Sequence, residues 1–290
     1  MIKKILLFVF LSIGHIGLSY ADFQDGLNAW DKEDYKTAFN EFLPLANQGD
    51  VDAQNKIGLL YKYGLGVIED DEKAVQWYTK AANQGYGRAQ NNLGKMYEYG
   101  EGVLKDGKEA VKWYTKAAEQ GYASAQTNLA NYLINQDAIN WSEADMWFTK
   151  AAEQGYLRAQ YNLAIMHQQS HPLQDISVAV KWFSKAAEQG DLDAQIHLGV
   201  MYYEGRDWLD MDYQAVSQDY IEAFKWFSIP AEQDYPIAQY ALGEMYANGF
   251  GVLKDMAKAK YWIKKAYENT DEKVSNAAKD IWERLELSNY

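Results

Sequence analysis

Residues 112–129 read KWYTKAAEQGYASAQTNL, and closely similar stretches occur at residues 76–93 (QWYTKAANQGYGRAQNNL) and 181–198 (KWFSKAAEQGDLDAQIHL). A catalytic motif normally occurs once because a reaction needs one site, whereas a phrase repeated at fixed spacing indicates repeated structure. One tryptophan marks each copy, at intervals of 36, 34, 35, 44 and 36 residues: Trp77, Trp113, Trp147, Trp182, Trp226 and Trp262. A period of about 35 residues is the length of one helical hairpin in an α-solenoid.

Each repeat contains two helical patterns. Residues 74–82 place Ala, Trp, Tyr and a pair of alanines at i, i+3, i+4, i+7 and i+8, which predicts an amphipathic helix, helix B. Residues 53–61 and 89–97 place apolar residues at a spacing of four, which predicts helix A. The tryptophans lie on the helix B stripe, so we expect all six to be interior residues that join consecutive helix pairs.

Small residues and helix caps recur with the same period. An interior glycine or alanine in each helix A predicts that helix B of the same hairpin crosses too closely for a larger group. These residues are Gly58, Gly94, Ala130, Ala164, Gly199 and Gly243. A cap residue stands four positions before the first alanine of each helix B: Asp34, Asp70, Asp106, Asn140, Asp175, Asp219 and Asp255. One per hairpin, these side chains are predicted to accept the free N–H groups of a first helical turn rather than to bind metal.

The patterns predict an all-α fold, an α-solenoid with a right-handed superhelix, built from about seven antiparallel helical hairpins. The hairpins are predicted at residues 22–48, 51–84, 87–120, 123–154, 157–189, 192–233 and 236–269. A final helix at about 272–287 is expected to cap the stack, because each hairpin buries its apolar face only against its neighbours.

Composition narrows the classes of function. The chain has 290 residues and a formal net charge of −13, so binding to nucleic acid through a basic surface is not expected. It contains no cysteine, which excludes disulfides and thiol chemistry. We find no nucleophile elbow, no phosphate-binding glycine loop and no metal cluster, and we therefore expect neither a cofactor nor catalysis.

The first 21 residues resemble an export signal. Lys3 and Lys4 precede an apolar run from Ile5 to Ile13, and small residues at 19–21 suit a signal peptidase. We expect cleavage after Ala21 and a periplasmic or secreted protein with a net charge of −15, since the segment carries two lysines and no acids. After cleavage no integral membrane association is expected. An uncleaved membrane anchor is the alternative.

The repeat consensus resembles a known family. It reads G-x-G-V-x-x-D-x-x-x-A-x-x-W-Y-x-K-A-A-x-Q-G-x-x-x-A-Q-x-N-L-G-x-M-Y, with its clearest loops at residues 64–67, 100–103 and 249–252. This pattern is similar to Sel1-like repeats, relatives of tetratricopeptide repeats. The resemblance implies an adaptor or scaffold that holds another protein or peptide on a curved helical surface.

By analogy with tetratricopeptide solenoids, the binding groove should be lined by helix A positions before and after the conserved leucine. The candidate groove residues are Asn55, Leu59, Tyr63, Asn91, Lys95, Glu98, Tyr99, Tyr161, Tyr203, Tyr240 and Glu244. Exposed tyrosines are good interface anchors because they bury a large area at low entropic cost. Packing between repeats is the alternative role for each of them.

The long interval between Trp182 and Trp226 indicates an insertion at about 205–220. It carries acidic and aromatic residues that are candidates for a partner-binding loop: Asp207, Trp208, Asp210, Asp212 and Tyr213. A tolerated surface insertion is the alternative. The run lacks the glycine and terminal glutamate of a calcium loop. The pair His167 and His171 lacks the glutamate of a zinc helix, and His167 occupies a packed helix A position.

Two other functions remain as alternatives to the scaffold. Binding of a cell-envelope glycan such as peptidoglycan would use the aromatic residues, although tryptophans in the core leave few for stacking on sugars. A β-lactam or cell-wall hydrolase is suggested by some secreted, cysteine-rich relatives of this family. Those relatives carry a disulfide in each repeat, and this chain has no cysteine.

Overall fold

The computed structural model describes residues 23–135, 140–169, 173–205, 217–268 and 272–285. Every regular element in these ranges is a helix. The first, α1, covers residues 23–31. The others are α2 (Tyr35–Asn47), α3 (Val51–Lys62), α4 (Asp71–Asn83), α5 (Gly87–Tyr99), α6 (Gly107–Glu119), α7 (Ala123–Ile134), α8 (Trp141–Glu153), α9 (Leu157–Gln168), α10 (Ile176–Glu188), α11 (Leu192–Glu204), α12 (Tyr220–Glu232), α13 (Pro236–Asn248), α14 (Met256–Tyr267) and α15 (Glu272–Arg284).

The chain forms two compact units, an N-terminal unit of residues 1–147 and a C-terminal unit of residues 148–290. In the N-terminal unit each helix from α2 to α6 packs against the next one along the chain. In the C-terminal unit α9 to α15 pack in the same consecutive way, and α15 also contacts α13. The prediction of an all-α solenoid of helical hairpins with a terminal helix is confirmed. The odd-numbered helices from α3 to α13 are helices A, and the even-numbered helices from α2 to α14 are helices B.

The predicted helix caps are confirmed at all seven positions. In each case a side-chain oxygen of the cap residue accepts a hydrogen bond from a backbone N–H of the first helical turn. For Asp70 the acceptor oxygen lies 2.9 Å from the Lys73 nitrogen. A cap of this kind typically stabilises a helix by about 1 kcal/mol, which is why one recurs in every hairpin.

The interior position of helix B is one residue later than the tryptophan. The residues that follow the tryptophans, Tyr78, Tyr114, Phe148, Phe183, Phe227 and Ile263, are all buried. Trp113, Trp147 and Trp182 are buried too, but Trp77, Trp226 and Trp262 are only half-buried. The expectation that all six tryptophans are interior was therefore wrong for three.

The small residues of helix A lie opposite the buried ring of helix B. A Cβ atom on Gly58 would lie 2.5 Å from the Tyr78 ring, one on Gly94 2.7 Å from Tyr114, and one on Gly199 2.6 Å from Phe227. The predicted close crossing within a hairpin is thus confirmed. At Gly66, where φ is +69°, a Cβ would meet the backbone of Tyr35 and Lys36, so this loop rests on the start of the preceding helix B.

A buried glutamine joins consecutive hairpins. Gln54 at the start of α3 donates from Nε2 to the Ala46 carbonyl at the end of α2, at 3.0 Å. The same bond, always eight residues back, is made by Gln90, Gln126, Gln160, Gln195 and Gln239. Each of these carbonyls also accepts a backbone N–H from three residues later, so the glutamine adds a second hydrogen bond at the end of helix B.

Among the residues that the structure describes, no helix has both the length and the apolar character that crossing a bilayer requires.

We expect Gly58→Ala to destabilise the protein by about 1–3 kcal/mol, because the added methyl overlaps the buried Tyr78 ring. Helix propensity alone predicts the opposite sign, a gain of about 1 kcal/mol. Urea unfolding measures the difference, and Gly58→Ala combined with Tyr78→Leu should recover part of the loss. A stabilised single variant would contradict the close crossing.

Candidate functional site

The candidate groove residues of the N-terminal unit divide into two groups. Asn55 and Asn91 are each only 5% exposed. Asn55 Oδ1 accepts from Asn92 Nδ2 at 3.0 Å, and Asn91 Oδ1 accepts from Asn128 Nδ2 at 2.8 Å. These amides join each helix A to the helix A of the next hairpin. The expectation that Asn55 and Asn91 line a binding groove was therefore wrong, because the neighbouring repeat already uses them.

Two further groove candidates, Leu59 and Glu98, contact residues of the interior. Leu59 is half-buried and packs against the apolar cluster around Tyr78 and Leu93. The Glu98 carboxylate accepts a hydrogen bond from the Tyr114 hydroxyl at 2.5 Å. Both side chains therefore support the interior of the unit, which is the packing role that the sequence left open as the alternative.

The remaining three candidates meet at one surface. Tyr63, Lys95 and Tyr99 line a cavity of about 330 Å³ between the ends of α3 and α5. Tyr63 and Tyr99 are each 63% exposed. Lys62 forms one edge, where its ammonium lies 3.0 Å from Asp71 and 3.1 Å from Glu101. The cavity thus presents two tyrosine rings and a lysine beside a charge cluster that is already paired.

In the C-terminal unit a cavity lies across three helices A. It has a volume of about 680 Å³ and is lined from α9, α11 and the start of α13. Tyr161 is the one predicted groove residue in its lining. The lining also contains Gln168, Gln169 and Gln174. Residues of α11 and of the start of α13 complete it: Asp193, Ile196, His197, Val200, Tyr235 and Ile237.

Two of these additional residues were accessible to sequence reasoning. Ile196 and Val200 stand two residues before and two after Leu198, which are the positions that define the groove in the other repeats. The prediction favoured tyrosines and polar or charged residues at those positions, and it therefore left out Ile196 and Val200. Tyr235 and Ile237 lie at the start of α13 and have no signal of this kind in the sequence.

An aromatic group forms one wall of this cavity. His197 stacks on Phe183 with ring centroids 4.7 Å apart and an angle of 7° between the planes. The Tyr161 hydroxyl lies 3.3 Å from His197 Nε2, and its ring contacts Phe183 edge to face. Burial lowers the pKa of His197, an effect that the nearby Asp193 and Asp191 partly oppose. Burial also raises the pKa of Tyr161, so both groups are uncharged at neutral pH.

The last candidates lie near the terminal helix. Tyr240 and Glu244 line a cavity of about 240 Å³ together with Asp280 and Arg284 of α15. Glu244 accepts from the Tyr203 hydroxyl at 3.2 Å and lies 3.9 Å from Arg284. Burial is the main cause of the raised pKa of Tyr203, and Glu244 adds to it. Tyr203 is half-buried against Tyr220, so it serves packing more than an open surface.

The candidate insertion loop lies outside the described residues. This applies to Asp207, Trp208, Asp210, Asp212 and Tyr213, which stay predictions. His167 is buried on α9, in agreement with the packed position expected for it, and His171 lies outside the described residues.

The comparison with family models identifies six segments that match the Sel1 repeat. They are residues 51–86, 87–122, 142–156, 157–191, 192–235 and 236–271, which together exceed half of the chain. A comparison with curated proteins found no match.

Solved structures with the same fold are similar to this chain over most of its length. One is a protective antigen present in uropathogenic Escherichia coli strains and displaying an SLR fold, with a TM-score of 0.73 and 30% identity. The alignment covers 91% of this chain but 56% of the antigen, so the chain spans little more than half of that structure. Another is a Sel1 repeat protein from Oxalobacter formigenes, with a TM-score of 0.68, 31% identity, and coverage of 84% and 98% of the two chains.

We expect the two groups of groove candidates to differ in stability when truncated. Asn91→Ala removes a buried amide and leaves the half-buried Asn128 amide without its acceptor, which should cost about 1–3 kcal/mol. Tyr63→Ala changes an exposed ring and should shift stability by no more than about 0.5 kcal/mol. Urea unfolding of the two variants tests this division, and equal losses would contradict it.

We also expect His197 to reduce stability at acidic pH. Its folded pKa lies below the unfolded value of about 6.5, so the unfolded chain binds more protons in that window and stability falls as the pH drops through it. Between about pH 7 and pH 5 the free energy of unfolding should fall less in His197→Gln than in the unchanged protein. An equal or steeper fall in the variant would contradict this.

Proposed function

The chain belongs to the Sel1 repeat family, and from this membership we propose that it is an exported scaffold that binds a protein or peptide partner through its helices A. Proteins of this family are generally helical scaffolds for protein–protein interaction rather than catalysts. Export is supported by the basic and apolar pattern of residues 1–21, ahead of the first described helix. The scaffold therefore acts in the periplasm or outside the cell.

The observation that carries the proposal is the cavity between the ends of α3 and α5. There Tyr63 and Tyr99, from the same position of two successive repeats, expose most of their rings beside Lys95. Large exposed aromatic rings on rigid helices supply contact area at little entropic cost, which is typical of interface anchors. A partner that covers this surface would bury both rings at once.

Glycan binding receives no comparable support. Of the six repeat tryptophans, Trp77, Trp226 and Trp262 have an edge at the surface, and each has a lysine over its ring. Lys80 Nζ lies 3.6 Å from the Trp77 centroid, Lys225 4.7 Å from Trp226, and Lys265 5.7 Å from Trp262. A sugar would have to displace these cations to stack on the indoles.

Site-specific photo-cross-linking in the native cell tests the scaffold. A photoreactive residue at Tyr63 or Tyr99 should give one discrete adduct with a partner, and one at Tyr261 should not. Tyr261 is also exposed but lies on the helix B α14, which makes it a matched control. Adducts of equal yield at all three positions, or none at Tyr63 and Tyr99, would rule out helix A as the binding surface.

Export has its own test. The protein recovered from the periplasm or the medium should begin at Asp22, as measured by intact mass, because the signal is removed after Ala21. Replacing Leu6 and Leu7 by charged residues should retain the full-length chain inside the cell, whereas the conservative change to isoleucine should not. Full-length protein in the cytosol of the unchanged strain would contradict export.

A further inference from the structure

We propose that the 680 Å³ cavity of the C-terminal unit binds a peptide segment in which a large apolar side chain is followed or preceded closely by lysine or arginine. This inference deepens the proposed scaffold function and rests on it. The volume lies within the range of about 300–1,000 Å³ that is typical of pockets for small molecules and short chain segments.

The cavity offers an apolar floor. Ile196 and Val200 on α11 form it, and Ile237 on α13 leaves 47% of its surface in solvent. Aliphatic surface on two neighbouring helices A has little reason to stay hydrated, because its burial is worth about 25 cal/mol per Å². A leucine, methionine or phenylalanine side chain fills a space of this kind.

The aromatic wall beside the floor is held in place by its own contacts. Tyr161, Phe183 and His197 contact one another, and the stack of His197 on Phe183 positions the imidazole. Tyr161 and His197 replace the asparagine pair that joins helices A in the N-terminal unit, since the two contacts link the same positions of successive repeats. The wall therefore needs little ordering when a ligand binds.

An aspartate in this cavity lacks the hydrogen bond that its equivalent in the N-terminal unit accepts. Asp52 and Asp193 hold the same position near the start of α3 and α11, and Tyr86 and Tyr235 both precede the next helix A. The Tyr86 hydroxyl donates to Asp52. Asp193 and Tyr235 instead both line the cavity, and no described residue donates a hydrogen bond to the exposed Asp193 carboxylate.

The charge of the cavity selects the partner. Asp193 is the charged side chain in the described lining, and Asp191 adds to the negative potential felt by His197 and Tyr161. The chain as a whole carries a formal net charge of −13. Lysine or arginine beside the apolar anchor can pair with Asp193 and lie against the rings of Tyr161 and Tyr235. An acidic peptide, or a second copy of this chain, meets charge of its own sign.

Selection from a phage-displayed random peptide library on the full chain tests the proposal. We expect enriched sequences to place lysine or arginine within two residues of leucine, methionine or an aromatic residue. A selected peptide, labelled with fluorescein and measured by anisotropy, should lose affinity at least about tenfold when its basic residue becomes glutamate.

Protein variants then locate the binding. Asp193→Asn should weaken peptide binding about threefold, as expected for an ion pair at the surface. The effect should be smaller at high salt. Ile237→Asn alters a part of the floor that is 47% exposed, and should weaken peptide binding about tenfold. Glu232→Gln removes the same charge from an exposed position on α12 and should leave affinity unchanged.

The proposal is overturned if no peptide is enriched, if acidic peptides are enriched, or if binding is indifferent to Asp193 and Ile237. It is also overturned if a peptidoglycan disaccharide-peptide competes for the cavity better than the basic peptides do. Cross-links from Tyr63 and Tyr99 together with any of these results would leave the scaffold function standing and remove only the cavity's assigned ligand. Failure of both experiments would remove both.

Discussion

The rest of the structure depends on a hydrogen bond that is repeated once per hairpin, from a buried glutamine to an alanine carbonyl eight residues earlier. It is made by Gln54 and by each of its five counterparts. A second glutamine extends it, since Gln84 donates to Gln54, Gln120 to Gln90 and Gln189 to Gln160. Because the acceptor lies at the end of helix B and the donor at the start of the next helix A, this bond sets where one hairpin begins relative to the last.

The alanine pairs and small helix A residues follow from that constraint. Helices that are held at this distance leave room for methyl groups, or for a single ring against a residue without a side chain, as with Tyr78 against Gly58. The fully buried ring is worth roughly 1.5–3 kcal/mol, which more than offsets the cost of about 1 kcal/mol for an interior glycine. The tryptophan beside it then finishes the packing at the edge of the interior, with a lysine over its outer face.

The candidate binding residues lie at helix A positions that do not hold successive repeats together. In the N-terminal unit the asparagine pairs and the bond from Tyr86 to Asp52 join successive helices A, and the exposed rings are those of Tyr63 and Tyr99 at the helix ends. In the C-terminal unit the same positions carry Tyr161, Ile196 and His197, and Asp193 is not bonded to Tyr235, so the space stays open as a cavity. Variation at equivalent positions of one scaffold thus produces two surfaces of different chemistry.

The sequence by itself determined the helices, their order, their caps and the close crossing at the small residues, because each of these depends on contacts that recur with the period of the repeat. It predicted Tyr63, Lys95, Tyr99 and Tyr161 at open surfaces, but it also named Asn55 and Asn91, which are buried. Only the tertiary structure decided which helix A side chains remain available. The physical reason is that availability depends on the residue that the next hairpin places opposite, about 35 positions later, and on whether the two can bond.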